Sequence, residues 1–293
     1  MKLSIIVPVH NRIDSVRSFL KQIYLQECNI DFNVIVVNDG STDGTNEMIK
    51  AEYPATTIIN GDGNWWWTKS VNEGIKHSLK SNCDAVLLMN DDTFFDINYL
   101  KCITKYYDGK SIIGSVGLIK SGNSDKIFFM GEKSFNRYTS NTIPAFKKFS
   151  PVPNIMEGIH TSVALPGRGL LIPCEIFNEI GFFDQEKLPQ YKADYDFVLR
   201  AYSKGIKTYV CHEAIIFCDL YNTGEGSSFK KASLKSFFKS FFSKYTHNSL
   251  SASFAYKAKH GFAFLTPFLI LYQFSASLLL FIYRNYFYSK NRI

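Results

Sequence analysis

Two apolar runs in this chain each lead straight into carboxylates. Val34-Ile35-Val36-Val37 runs into Asn38-Asp39-Gly40-Ser41-Thr42-Asp43, and Ala85-Val86-Leu87-Leu88-Met89 runs into Asn90-Asp91-Asp92-Thr93. A continuous apolar run of this length reads as a parallel strand buried on both faces. In an open α/β sheet, ligands bind beyond the carboxyl ends of such strands. Adjacent carboxylates there repel unless a cation or hydroxyl donors compensate. A divalent metal carrying a nucleotide diphosphate, together with a ribose diol, meets both needs. Mg²⁺ or Mn²⁺ takes one or two carboxylates and completes its shell with phosphate oxygens and water.

A third acidic segment, Ala193-Asp194-Tyr195-Asp196, opens a helical pattern continued by Phe197, Val198 and Ala201. A carboxylate at a helix start is favoured by the dipole and is well placed to act as a general base. Each segment also has a plainer reading as a helix cap, with Ser41, Thr42 or Asp43 serving the second helix. The three tryptophans stand together in Gly61-Asp62-Gly63-Asn64-Trp65-Trp66-Trp67-Thr68. They can stack on a base or sugar or pack under the sheet edge, with at least one expected to be buried. His212, between two apolar runs, reads as structural.

The elements that must hold these residues follow from periodicity. Strands and helices alternate over the first ~120 residues, the pattern of βαβ units on a parallel sheet. Strands are expected at Leu3–Val7, Val34–Val37, Ala85–Met89 and Ile112–Ile119, and helices from Ile13, from near Thr42, over Thr68–Leu79 and from about Ile97. Residues 121–153 read as loops and antiparallel hairpins. Order returns at Gly169-Leu170-Leu171-Ile172, in a helix about Asp194–Lys204, and in two short strands, Thr208–Cys211 and Ala214–Phe217. Tyr221–Ser228 reads as a flexible loop.

Charge divides the chain. The net charge is +7, yet residues 1–225 carry 23 basic and 26 acidic side chains. Residues 226–293 hold ten Lys or Arg, twelve of the 26 phenylalanines and no acid. Lys230, Lys231, Lys235, Lys239 and Lys244 interleave with Phe229, Phe237, Phe238, Phe241 and Phe242, the composition of a helix on an anionic membrane surface. Gly261–Tyr283 then runs without a charge, long enough to cross a bilayer. The other reading is a helical pair packed on the catalytic part. The six cysteines include no Cys-x-x-Cys and read as small core residues in a reducing compartment. No leader peptide is expected, and no nucleic-acid module accompanies the basic tail.

The order of these segments resembles the family 2 glycosyltransferases, which have the GT-A fold. Ser4-Ile5-Ile6-Val7-Pro8-Val9-His10-Asn11-Arg12 is similar to the family's opening strand and turn. Asn38–Thr45 is similar to its Asp-Gly-Ser-Thr-Asp element, and Asn90-Asp91-Asp92 stands at its Asp-x-Asp metal motif. Gly181-Phe182-Phe183-Asp184 and Ala193–Arg200 resemble its acceptor-side segment. The likeness spans about residues 3–218 and rests on five weak motifs in one order. It implies an α/β GT-A-like fold, a mostly parallel Rossmann-type sheet flanked by helices. The catalytic domain would be residues 1–225, with a donor half to about 120 and an acceptor half beyond it. Residues 226–293 would form a helical tail associated with the membrane.

By the same resemblance, Asp39 contacts the donor's base or ribose, Asp91 the ribose, and Asp92 the metal. Pro8, Asn11, Asn64 and Trp67 line the donor, and Asp194 is the catalytic base. Asn90 replaces the first acid of Asp-x-Asp and Ala193 the Glu before the base. Where members often carry a His ligand, this chain reads Phe217-Cys218-Asp219, leaving Asp219 as a weak substitute. The implied activity is inverting transfer of a sugar from a nucleotide-sugar donor to a saccharide or lipid-linked acceptor, in surface polysaccharide synthesis, at the cytoplasmic face of a membrane. Two alternatives fit the same residues less well. A nucleotidyltransferase would show a Gly-rich loop after strand one, where Pro8–Arg12 has no glycine. A catalytically dead sugar-binding protein would not need Asp39, Asp92 and Asp194 together.

Overall fold

The computed structural model describes residues 1–121, 124–218, 233–283 and 285. The βαβ run is present: β1 (Lys2–Val9), α1 (Ile13–Tyr24), β2 (Asp31–Asn38), α2 (Thr45–Glu52), β3 (Thr57–Asn60), α3 (Trp66–Lys80), β4 (Ala85–Leu88), β5 (Thr93–Phe95), α4 (Tyr99–Thr104) and β6 (Ile112–Ser121). Hairpin strands follow as expected: β7 (Ser124–Phe129), β8 (Glu132–Asn136) and β9 (Asn141–Pro144). The body continues with β10 (Ile159–Thr161), β11 (Leu170–Pro173), α5 (Ile176–Ile180), α6 (Ala193–Ser203) and β12 (Thr208–Cys218). The tail folds into α7 (Leu234–Phe242), α8 (Leu250–His260) and α9 (Thr266–Ile282).

The main sheet has the order β10-β12-β6-β11-β4-β1-β2-β3. Six of these strands, β1, β2, β3, β4, β6 and β12, point one way, and β11 runs against them between β4 and β6. The apolar runs are continuous because both faces are covered. Ile6, Ile35 and Val37 face one core layer with α3, whereas Ile5, Val7, Val34 and Val36 face the other with α1. The two strands expected at 208–217 are one, with an irregularity between Cys211 and Ile215 that absorbs Glu213.

Two expectations are corrected. The cysteines do not all remain thiols: Cys83 and Cys174 form a disulfide, and Cys28, Cys102, Cys211 and Cys218 lie outside it. The pairing follows from the register Ala85↔Pro173, which lays the two cysteines side by side at the ends of β4 and β11. No tryptophan is fully buried: Trp65 and Trp67 are half-buried and Trp66 is exposed. The loop expected over 221–228, the boundary at 225 and Asp219 lie outside the described residues.

The tail divides in two. In α8, Ala252 and Tyr256 enter the same core layer as Phe197 and Val198 of α6, so this helix belongs to the body. Its end is pinned by charge. Asp196, fully buried, is 2.7 Å from Lys259 Nζ, 2.8 Å from His260 Nε2 and 2.9 Å from Arg200 Nε. Burial alone would raise its pKa, but His260, Lys259 and Arg200 bring it down to about 2. Asp196→Asn is expected to lower stability by about 3 kcal/mol in urea denaturation, since it takes the shared anionic acceptor from Lys259, Arg200 and the His260 ring, the first two partly open to water. Because the folded pKa lies below the unfolded one, this contribution is present above about pH 4 and is lost as pH falls through about 2.

The remaining tail faces outward. Phe237 and Phe241 of α7 pack on Phe274 and Phe281 of α9. The helical stretch Ala263–Ile282 has a mean hydropathy of 1.8 with 6% buried in the fold, and Phe268, Leu271 and Leu279 are largely exposed.

Candidate active site

The strand directions set the carboxyl ends of β1, β2, β3 and β4, and the amino end of β11, along one edge. Backbone bonds bind the turns side by side there. Asp39 N–H donates to Val9 O (2.9 Å), Gly61 N–H to Asn38 O (2.8 Å), and Gly169 N–H to Leu88 O (2.8 Å). Asn11 joins the first turn to the second, its Oδ1 accepting from Thr42 N–H at 2.7 Å. Pro8 lies half-buried at the end of β1, opposite Val37.

Asp39 is buried, and its carboxylate accepts backbone N–H groups from Gly63 (2.8 Å), Trp65 (2.9 Å) and Trp66 (2.9 Å). It therefore shapes the turn that opens α3. Gly40 permits this turn: its φ is +66°, and a Cβ there would meet Gly63 N at 2.7 Å. Asp43 takes the capping task expected of it at two helix starts, accepting from the N–H of Ile13 and of Thr45. Asn64 is exposed, with its N–H held by Asp62 at 2.9 Å.

Asp91 and Asp92 are buried side by side under Arg12. Arg12 Nε lies 2.9 Å from Asp91 Oδ2, and its Nη2 4.0 Å from Asp92 Oδ2. Burial pushes the Asp91 carboxyl up to about 7, Arg12 opposing the shift and Asp92 adding to it. Asp92 Oδ1 is buried with no hydrogen-bond partner. An orphaned carboxylate oxygen beside a second carboxylate is a hard-oxygen donor set that fits Mg²⁺ or Mn²⁺. Among the described residues no third His, Cys, Asp or Glu joins them.

Asp194 is brought to the same edge. Its Oδ2 accepts from Gly167 N–H (2.8 Å) and its Oδ1 from its neighbour Tyr195 N–H (2.9 Å). Burial raises its pKa, and the two N–H bonds and Arg168 only partly oppose this. Gly167 is the hinge of the arrangement: a Cβ there would meet the Trp67 ring at 2.4 Å and Asp194 Cβ at 3.3 Å. Trp67 in turn donates from its indole to Asn90 Oδ1 at 3.2 Å. Trp67, Asn90, Gly167 and Asp194 thus form one contiguous wall.

Arg168 went unassigned in the sequence. Burial works against its charge, and Cys218, Asp92 and Asp194 offset this, so it sits in the field of both the acidic pair and Asp194. Its Nη1 is buried without a partner. The signal was Gly167-Arg168-Gly169 directly before a buried strand: an arginine whose neighbours leave room around it. Tail residues also reach the rim, with Tyr245 stacked on Trp66 at 4.2 Å. Among the described residues, three of the six non-glycine residues with positive φ, Asn11, Trp66 and Lys192, lie in the segments around this crevice. Such backbone strain gathers at functional sites.

Comparison with known proteins agrees with this geometry. The sequence model for "Glycosyl transferase family 2" matches residues 4–162, more than half of the chain. No curated protein matches it. Among solved structures, the mannosyltransferase PcManGT of Pyrobaculum calidifontis, in complex with GDP-Man and Mn²⁺, is similar with a TM-score of 0.56 at 13% identity, over 95% of this chain and 74% of that one. S. aureus TarS 1–349 gives 0.54 at 17% identity, over 94% and 81%. GalNAc-T7 with UDP, GalNAc and Mn²⁺ gives 0.55 at 13%, over 74% and 43%. These likenesses show the GT-A fold, and the family match shows that the chain belongs to glycosyl transferase family 2.

Proposed function

We propose that the enzyme moves a sugar from a nucleotide-sugar donor to a hydroxyl of a saccharide or lipid-linked saccharide, with inversion, at the cytoplasmic face of a membrane during surface polysaccharide assembly. One observation carries this reading: a buried acidic pair and a separate carboxylate of raised pKa share one crevice, with Arg168 in the field of both. Solved structures of the same fold that hold GDP-Man or UDP with Mn²⁺ support the donor class.

In this reading the donor lies along the turns after β1, β2 and β3. Asp39 acts there chiefly by holding the Gly63–Trp66 turn, on which the base rests, while Pro8, Asn11 and Asn64 border the nucleoside. Asp91 and Asp92 would hold Mg²⁺ or Mn²⁺, Asp92 through its unpartnered oxygen. Such an ion, when bound, offsets the charge that develops on the departing diphosphate. Arg168 and Arg12 bring fixed positive charge to the same leaving group. Trp67 closes the wall behind the sugar. Asp194 takes the proton of the attacking hydroxyl, and its raised pKa makes it a better base than an ordinary surface carboxylate. The transition state is oxocarbenium-like, as in glycoside hydrolysis, and one displacement inverts the anomeric centre.

Membrane attachment rests on α7 and α9. Lys235 and Lys239 are exposed beside the apolar faces of these helices. Each lysine near an anionic surface contributes about 1 kcal/mol, and salt weakens this term, whereas apolar burial persists. The full-length protein is therefore expected to float with anionic liposomes, to be released in part by 1 M salt and completely by detergent. The paired substitution Leu271→Asp and Leu279→Asp should abolish flotation at high salt. Flotation unchanged by these two charges, or none by the native chain, would contradict the membrane role. Transfer itself is tested by metal-dependent release of nucleoside diphosphate from UDP-, GDP- and dTDP-sugars, and no release from any of them by a folded, metal-loaded chain would contradict it.

A further inference from the structure

The connector between α7 and α8, residues 243–249, carries the tail to the donor side of the crevice. Tyr245 lays its ring on the Trp66 indole, the centroids 4.2 Å apart and the planes 12° from parallel. His247 meets the Tyr191 ring nearly at right angles, 5.5 Å away. Tyr191 ends a segment that is itself bonded to the opening of α3. Thr68 N–H donates to Pro189 O at 3.0 Å, and Trp67 N–H to Gln190 Oε1 at 2.9 Å. The connector therefore touches both segments that meet where α3 begins. It is fixed at both of its own ends. Thr246 Oγ1 donates to Ser240 O of α7, and Ser249 Oγ caps α8 by accepting from Ala252 N–H at 3.2 Å. Since α8 is packed into the body, Tyr245 is presented from a firm base.

Trp66 needs such a hold. Its φ is +57°, a left-handed conformation that a bulky residue keeps only where its surroundings over-determine it. One hold acts on the backbone, the bond from Trp66 N–H to Asp39 Oδ2 at 2.9 Å. The indole is 41% exposed, and the Tyr245 ring is stacked on its face. Such a stack sets the orientation of a ring as well as covering its apolar surface. We propose that Tyr245 is a positioning residue for the donor: its stack on Trp66 fixes the Gly63–Trp66 turn against which the nucleobase lies, so that a residue of the tail completes the donor site. This rests on the reading that the donor lies along the turns after β1, β2 and β3. Tyr245 acts through Trp66. Without its ring the strained turn loses a hold and must be ordered again each time a donor binds, which weakens affinity.

The test uses full-length protein in detergent with Mn²⁺ and calorimetric titration of UDP, GDP and dTDP. The nucleotide that the native chain binds most tightly is then titrated into Tyr245→Phe, Tyr245→Ala, Trp66→Asn, and Trp66→Asn combined with Tyr245→Ala. Asparagine tolerates a positive φ and keeps the backbone N–H, so Trp66→Asn removes the ring without refusing the turn. Tyr245→Ala should weaken binding about threefold to tenfold, the worth of an aromatic stack, and Tyr245→Phe should restore it. Trp66→Asn should weaken binding at least as much, and the combined variant no further than Trp66→Asn alone. A merely structural Tyr245 would lower the melting temperature without this pattern in affinity. Native affinity in Tyr245→Ala, a phenylalanine variant as weak as the alanine one, or losses that add in the combined variant would overturn the proposal. Tighter binding by Tyr245→Ala would overturn it too, by showing that Tyr245 competes with the base for the Trp66 face. A native chain that binds none of the three nucleotides with Mn²⁺ would overturn the sugar-transfer reading, and this proposal with it.

Discussion

Asp194→Asn is expected to bind the nucleotide donor as the native chain does and to transfer sugar about a hundred to ten thousand times more slowly, the range for losing a general base. The substitution keeps the shape of the side chain, and its carboxamide oxygen can still accept from Gly167 N–H, while the bond from the adjacent Tyr195 N–H is given up, so the fold should persist with a small loss of stability. What is lost is the capacity to take a proton. The pH profile gives a second readout. Because burial holds the folded pKa of Asp194 above the ordinary carboxylate range, the native rate should fall on the acid side at a higher pH than a surface carboxylate would impose. That limb should be absent from the residual activity of the variant. Calorimetry with the donor nucleotide beside the rates separates the roles. Equal loss of binding and turnover would place Asp194 in the donor site or in the fold.

Asp92→Asn should reduce metal-dependent transfer about a hundredfold or more in a protein that still folds. Asp92 Oδ1 is buried and unpartnered, so no hydrogen bond is lost at that oxygen, while Arg12 and Arg168 lose part of the negative charge that offsets theirs, and the melting temperature should fall only modestly. Mn²⁺ should stabilise the native chain in thermal melts with nucleotide present, and stabilise the variant much less. Full activity with the same Mn²⁺ dependence in Asp92→Asn would remove this residue from the metal site.

The parts of the fold set by local periodicity were legible in the sequence. Continuous apolar runs gave β1, β2, β4 and β6, because both faces of those strands are covered. β3 was not seen, since Thr57–Asn60 is four residues long and nowhere fully buried. β12 was read as two strands because a charged residue, Glu213, sits where the strand bulges outward to meet Lys105. Features that depend on register were out of reach. The Cys83–Cys174 pair spans 91 residues and exists only because β11 runs antiparallel beside β4. The same strand carries Arg168 into the crevice, so a lone arginine acquires a site. Lys259 counted only among the ten basic residues of the tail, yet it and His260 close on Asp196 across more than sixty residues. The acidic segments stand out in the sequence because strand ends announce them, whereas the three bonds that Asp39 accepts from the turn opening α3 form only on folding and leave no local signal.

The account stands most directly on metal-dependent use of a nucleotide sugar. Full-length protein in detergent, incubated with a panel of UDP-, GDP- and dTDP-sugars, should release nucleoside diphosphate from one member of the panel, or a narrow set, in the presence of Mn²⁺ or Mg²⁺. Release should stop on chelation, resume when the metal is restored, and be nearly absent in Asp92→Asn. No release from any donor by a folded, metal-loaded chain, or release equal in native and Asp92→Asn protein, would contradict it.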